Sequence, residues 1–121
     1  MSLDPRPALA SRRARRVKAR RQGAYLRAAR SAAPEVAHVP DETLVAIGYG
    51  FIVAAAEDKL EGALTRASDY MLPRPVVETL AAAALSHLAP AIAARVLTAA
   101  DEAEREALAS LARDVRVEHN A

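Results

Sequence analysis

Seven cations stand within ten residues: Arg12, Arg13, Arg15, Arg16, Lys18, Arg20 and Arg21, with Arg27 and Arg30 six and nine residues further on. Guanidinium forks suit bidentate contacts to phosphate or carboxylate. A segment this dense would release counterions on meeting a polyanion, with binding that weakens steeply as salt rises. Like charges at Arg12/Arg16 and Arg16/Arg20 lie four residues apart and repel on a helix. Drawn on a helix, the cations of 12–21 point all round the axis and leave no apolar side to bury. The expected partner is nucleic acid or an acidic protein surface, such as the acidic body of a second copy. No recognition-helix signature and no RNA-stacking aromatic motif accompanies the cluster, and Tyr25 is the only aromatic nearby.

Other chemistry is sparse. Gly48-Tyr49-Gly50 places two glycines in one helical turn, each costing about 1 kcal/mol relative to alanine. With Ala54 four residues beyond Gly50, they predict close helix packing. Phosphate-binding glycine patterns have other spacings and a following lysine, so no phosphate loop is expected. His38, His87 and His119 lie far apart in sequence and predict no metal site, and His87 falls beside an apolar stripe as a core or interface residue. Glu57, Asp58 and Glu61 read as a solvated acidic helix face, with Lys59 pairing locally. The chain has no cysteine, which removes disulfides, thiolate zinc sites and a cysteine nucleophile. No set of polar groups converges in the pattern that catalysis needs, so neither an enzyme nor a bound cofactor is expected.

The elements that must position the cations follow from charge and periodicity. Residues 1–34 carry ten basic side chains and one acid, a net of +9, and residues 35–121 carry seven bases and fourteen acids, a net of −7. That split divides the 121 residues into a basic arm and linker (1–40) and an alanine-rich body (41–121). Pro5 and Pro7 are expected to hold off helix until Ala8, and a helix should then run to about residue 33, weakest at Gly23. Pro34 to Pro40 reads as a linker. A second helix should span 42–70, capped by Asp41, with the stripe Val45, Gly48, Ile52, Ala56, Leu60, Ala63, Ala67 and Met71. Leu72–Pro75 stops it. A third helix (76–97) carries Val77, Leu80, Ala81, Ala84, Leu88, Ile92 and Val96, and Pro90 should kink or split it. The fourth (99–118) opens at Thr98 with Asp101 in a shortened capping box. Its buried face is expected at Ala100, Ala103, Ala107, Leu108, Leu111 and Val115.

The fold class is therefore all-α, a small bundle of three core helices with a basic N-terminal arm helix. Alanine supplies 31 residues and phenylalanine one, so the apolar area buried per residue is small. Some of the stability is expected to come from a homo-oligomer or a larger assembly. The longest apolar run, Thr43 to Ala56, is about 14 residues against the roughly 20 a membrane span needs, so no membrane partner is expected. No signal peptide is visible, which favours the cytoplasm. The Arg/Ala/Ser-rich, acid-poor opening has some likeness to a mitochondrial transit peptide.

Ala83-Ala84-Leu85-Ser86-His87-Leu88-Ala89-Pro90-Ala91-Ile92-Ala93, followed by the acidic, alanine-rich helix through Asn120, resembles the penultimate helix pair of tailed-phage head-to-tail adaptor proteins. The resemblance covers about 40 residues. It implies a helical subunit of a ring beneath the portal, that is, a structural component of a virion. Pro90 precedes the second apolar pair here instead of following it, the usual aromatics are missing, and residues 1–40 lie outside the match. The expected function is thus a non-catalytic binding and assembly protein, with a structural virion subunit as the alternative.

Overall fold

The computed structural model describes residues 5–70, 72–99 and 101–120, with side chains described for 12–69, 72–99 and 101–116. These residues are all-helical: α1 (Pro5–Ala32), a 3-10 turn (Pro34–Val36), α2 (Asp41–Ala56), α3 (Leu60–Tyr70), α4 (Arg74–His87), α5 (Pro90–Thr98) and α6 (Glu102–Asn120). There is no strand among them. The predicted His119 lies outside the described side chains, and the stripe positions Met71 and Ala100 lie outside the described residues.

α2 sits at the centre, packed on every other helix, most extensively on α6 and α4. Its apolar residues cover more than one face: Leu44, Val45, Tyr49, Phe51, Ile52 and Val53 are all buried. α1 packs against α4 and α2. Tyr25, Ala29 and Ala33 belong to the same buried cluster as Leu44, Ile52, Leu80 and Leu108. The second half of α1 is therefore part of the core, a departure from three core helices with a separate arm.

Four local boundaries differ from expectation, each for a physical reason. α1 starts at Pro5, not after Pro7. A proline in the first turn lacks an N–H that would have no helical partner there anyway. The expected single helix over 42–70 is broken into α2 and α3. The Lys59 N–H donates to Ala54 O (2.7 Å) and the Asp58 N–H to Ala55 O (3.1 Å). Asp58 has φ of 58°. This is a Schellman ending, with aspartate in the left-handed position that glycine more often fills. Pro90 does split the third helix, as its place in the pattern predicts, and α4 and α5 meet at a 101° bend. At the start of α6, Asp101 is the cap: its Oδ1 accepts from the Glu104 N–H at 2.8 Å. Thr98 instead closes α5. Asp41 does not cap α2 either, since Pro40 precedes the first turn and Asp41 lies inside it, where its charge suits the positive end of the helix.

α6 is rotated about its axis relative to the expected face. Leu108, Ala109 and Ala112 are buried, Val115 is half-buried, and Ala103 and Ala107 are exposed. Leu111 is 42% exposed. Alanine buries so little area that either face costs nearly the same, and the pattern of alanines cannot orient the helix. Two ion-paired arginines tie the helices at the surface. Arg74 reaches Glu61 on α3 (2.7 Å) and Glu78 on its own helix (2.8 Å). Arg113 on α6 reaches Glu57 after α2 (3.4 Å) and Glu106 (3.0 Å).

Candidate functional site

The nine cations singled out in the sequence divide into three groups once α1 is docked. At 100° per residue, Tyr25 and Ala29 define the side of α1 that faces the body. Arg12, Arg16, Arg20 and Arg27 fall within an arc of about 80° on nearly the opposite side. All four are exposed, and none has an ion-pair or hydrogen-bond partner among the described residues. From Arg12 to Arg27 the row runs about 22 Å.

Arg13, Arg15, Lys18 and Arg21 form the second group. They line a groove of about 650 Å³ whose apolar residues are Ala14, Val17, Tyr49, Leu88 and Val115. Val17 and Lys18 are half-buried. The basic segment thus has a less polar side after all, made by Ala14 and Val17 in continuation of Tyr25 and Ala29. The spacing of Ala14, Val17, Tyr25 and Ala29 carried that signal, and Lys18 and Arg21, which share the side, concealed it.

Arg30 stands alone as the third group. Its guanidinium donates to Val36 O (2.9 Å), Ala37 O (3.3 Å) and Val39 O (3.0 Å), and it pairs with the Asp41 carboxylate. These bonds satisfy carbonyls of the 33–40 segment and fasten α1 to the first turn of α2. Arg30 holds the fold together, and its donors are committed within the chain.

What orients the outer row is the seat of Tyr25. Its ring lies against Gly48: a Cβ on residue 48 would stand 2.8 Å from Tyr25 Cε1 and 2.6 Å from Leu88 Cδ1. The Tyr25 hydroxyl donates to Leu44 O at 2.8 Å. Burial pushes its ionisation well above the ordinary tyrosine value, and the nearby Arg30 charge offsets this only in part. One turn earlier, Gln22 Nε2 donates to Tyr49 Oη at 3.3 Å. Gly48 is therefore a point of close approach between α2 and the Tyr25 ring. Gly50 is not: a Cβ there would meet nothing within 4 Å. Ala54 is half-buried on α2.

The acidic patch is rearranged. Glu57 and Asp58 border a smaller cavity of about 360 Å³ with Glu102 and Glu106, but Lys59 and Arg105 line it too. Glu61 turns away to Arg74. Among the described residues, no group of histidines and carboxylates is arranged to hold a metal ion. His38 is exposed and His87 half-buried at the end of α4. No single helix among them is long and apolar enough to cross a membrane.

No protein family, curated protein or solved structure matches the chain. The likeness of residues 83–120 to head-to-tail adaptors rests on the sequence alone.

Proposed function

We propose that this chain is a non-catalytic binding and assembly subunit that docks on the phosphate backbone of nucleic acid through the outer side of α1. The carrying observation is the row Arg12, Arg16, Arg20 and Arg27, exposed, without partners among the described residues, and aimed outward by a helix whose second half is seated in the core. A solvated tail would need no such seat. Duplex DNA carries one charge per about 1.7 Å of axis, so a row of about 22 Å can set each guanidinium against a phosphate. No base-reading element accompanies the row, and the binding is sequence-independent.

Four phosphate contacts imply a slope of about −3.5 in log K against log salt on duplex. Charge reversal at Arg12, Arg16 and Arg20 should remove retention of duplex at low salt and flatten that slope, measured by filter binding at several salt concentrations. Unchanged affinity eliminates this reading and leaves an acidic protein surface as the partner of the row.

A structural role in a larger assembly, the virion subunit included, is the second reading. Its support is Leu97, which stands 88% exposed on α5 in a protein that buries most of its other large apolar side chains.

A further inference from the structure

The outer arginine row leaves the groove on the other side of α1 without a use. A nucleic-acid backbone could neutralise Arg13 and Arg21, yet it would leave the apolar floor between them in water. The groove joins two chemistries. Its floor is Val17 from α1, Leu88 just after α4 and Val115 from α6, and its rim is cationic, with no acidic side chain among the described residues that line it. Arg13 and Arg21 are exposed and have no partner among the described residues. At about 650 Å³ it falls in the ordinary range of small-ligand sites.

We propose that this groove binds a free medium-chain fatty carboxylate of about ten to twelve carbons, with its chain along Val17, Leu88 and Val115 and its carboxylate at Arg13 or Arg21. Charge complementarity selects an anion, and the apolar floor selects one with a hydrocarbon body. Length narrows it further. Arg13 to Arg21 spans about 12 Å along α1, and an extended chain advances roughly 1.2 Å per bond, which gives about ten bonds. An acidic amphipathic helix from a partner protein offers the same two chemistries, but a stable protein interface needs roughly 800 Å² from each side. A groove only two helical turns long is too small to supply that.

The test is calorimetric titration of the full chain with sodium dodecanoate, decanoate and octanoate below their micelle concentrations. Saturable binding at one molecule per chain is expected, weakening by about fourfold for each methylene removed. Reversal of the two rim charges (R13E with R21E) should lower dodecanoate affinity tenfold or more. R12E with R16E, on the outer side, should leave it within twofold. Dodecyltrimethylammonium, with the same chain and the opposite charge, should not bind. Four results overturn the proposal: no saturation by about 1 mM dodecanoate, several molecules bound per chain, indifference to R13E/R21E, or equal binding of the cationic amphiphile. A Glu/Leu-rich helical peptide that binds at the rim and is not displaced by dodecanoate also overturns it, in favour of a protein partner. Because different arginines carry the two activities, loss of duplex binding and loss of dodecanoate binding report on separate proposals.

Discussion

The two halves of α1 belong to one continuous helix, with seven cations in 12–21 against two in 22–32, and they have opposite relations to the rest of the molecule. From Gln22 onward, a tyrosine and small alanines let the helix lie flush on α2 and α4, and Arg30 closes the next loop. From Arg12 to Arg21 the same face offers only Ala14 and Val17 among long cationic side chains, and a groove opens where the docked half has contact. A helix joins a core through a few well-placed apolar groups. Charge density elsewhere on its surface does not prevent it.

The sharpest way to break this contrast is to unseat the docked half. Tyr25→Ala should cost about 3–5 kcal/mol, the range for removing a fully buried aromatic. In a body this poor in large side chains, that is a substantial part of a total of about 5–15 kcal/mol. Denaturant unfolding should show the loss, and limited proteolysis should find new cleavage within 22–33. Equal protection of wild type and variant would mean that Tyr25 does not hold α1 in place.

The two glycines of α2 sharpen the comparison from the other side of the contact. Gly48→Ala puts a methyl into the Tyr25 ring and the end of Leu88. Leu88 can turn aside at its flexible end, but the ring is held by its bond to Leu44 O. A cost of about 1–3 kcal/mol follows. Gly50→Ala meets open space and should stabilise by up to about 1 kcal/mol, through helix propensity and a less flexible unfolded chain. The two midpoints in urea should move in opposite directions. Equal shifts would contradict the placement of Gly48 at the contact.

Gly48 also marks what could be read from the chain itself. The glycine pair announced a close approach, but not which member makes it, because that depends on the partner across the helix. The stripes of α2 and α4 were legible since Leu, Ile and Val pay out a large area difference between inside and outside. α6 was misoriented because its candidates were mostly alanine. The α2–α3 break was hidden by Asp58, which occupies a glycine position without the glycine. The cations themselves were plain, whereas their division into an outer row, a groove rim and the tethered Arg30 needed the rotation of α1 about its axis. Tyr25 fixes that rotation. In the sequence it stands only as the aromatic nearest the cluster.

The smallest effect concerns the hydroxyl of Tyr25 and separates the hydrogen bond from the burial of the ring. Only the neutral phenol can donate to Leu44 O, and burial holds it neutral in the fold beyond the ordinary value of 10.0. The unfolded chain, with its ordinary tyrosine, loses the proton first. The contribution of this group is therefore fully present below about pH 10 and declines above it, by up to about 1.4 kcal/mol per pH unit. Tyr25→Phe keeps the ring, loses the bond and cannot ionise. At pH 7 it should be less stable than wild type by about 1 kcal/mol. The gap should close by about pH 11, as the wild-type stability falls and the variant escapes this one titration. Taking the difference between the two proteins cancels the other lysines and tyrosines that ionise in the same range. A gap that stays constant from pH 7 to about 11 would show that the phenol ionises as readily in the fold as outside it, and that its seat beneath α1 is open to water.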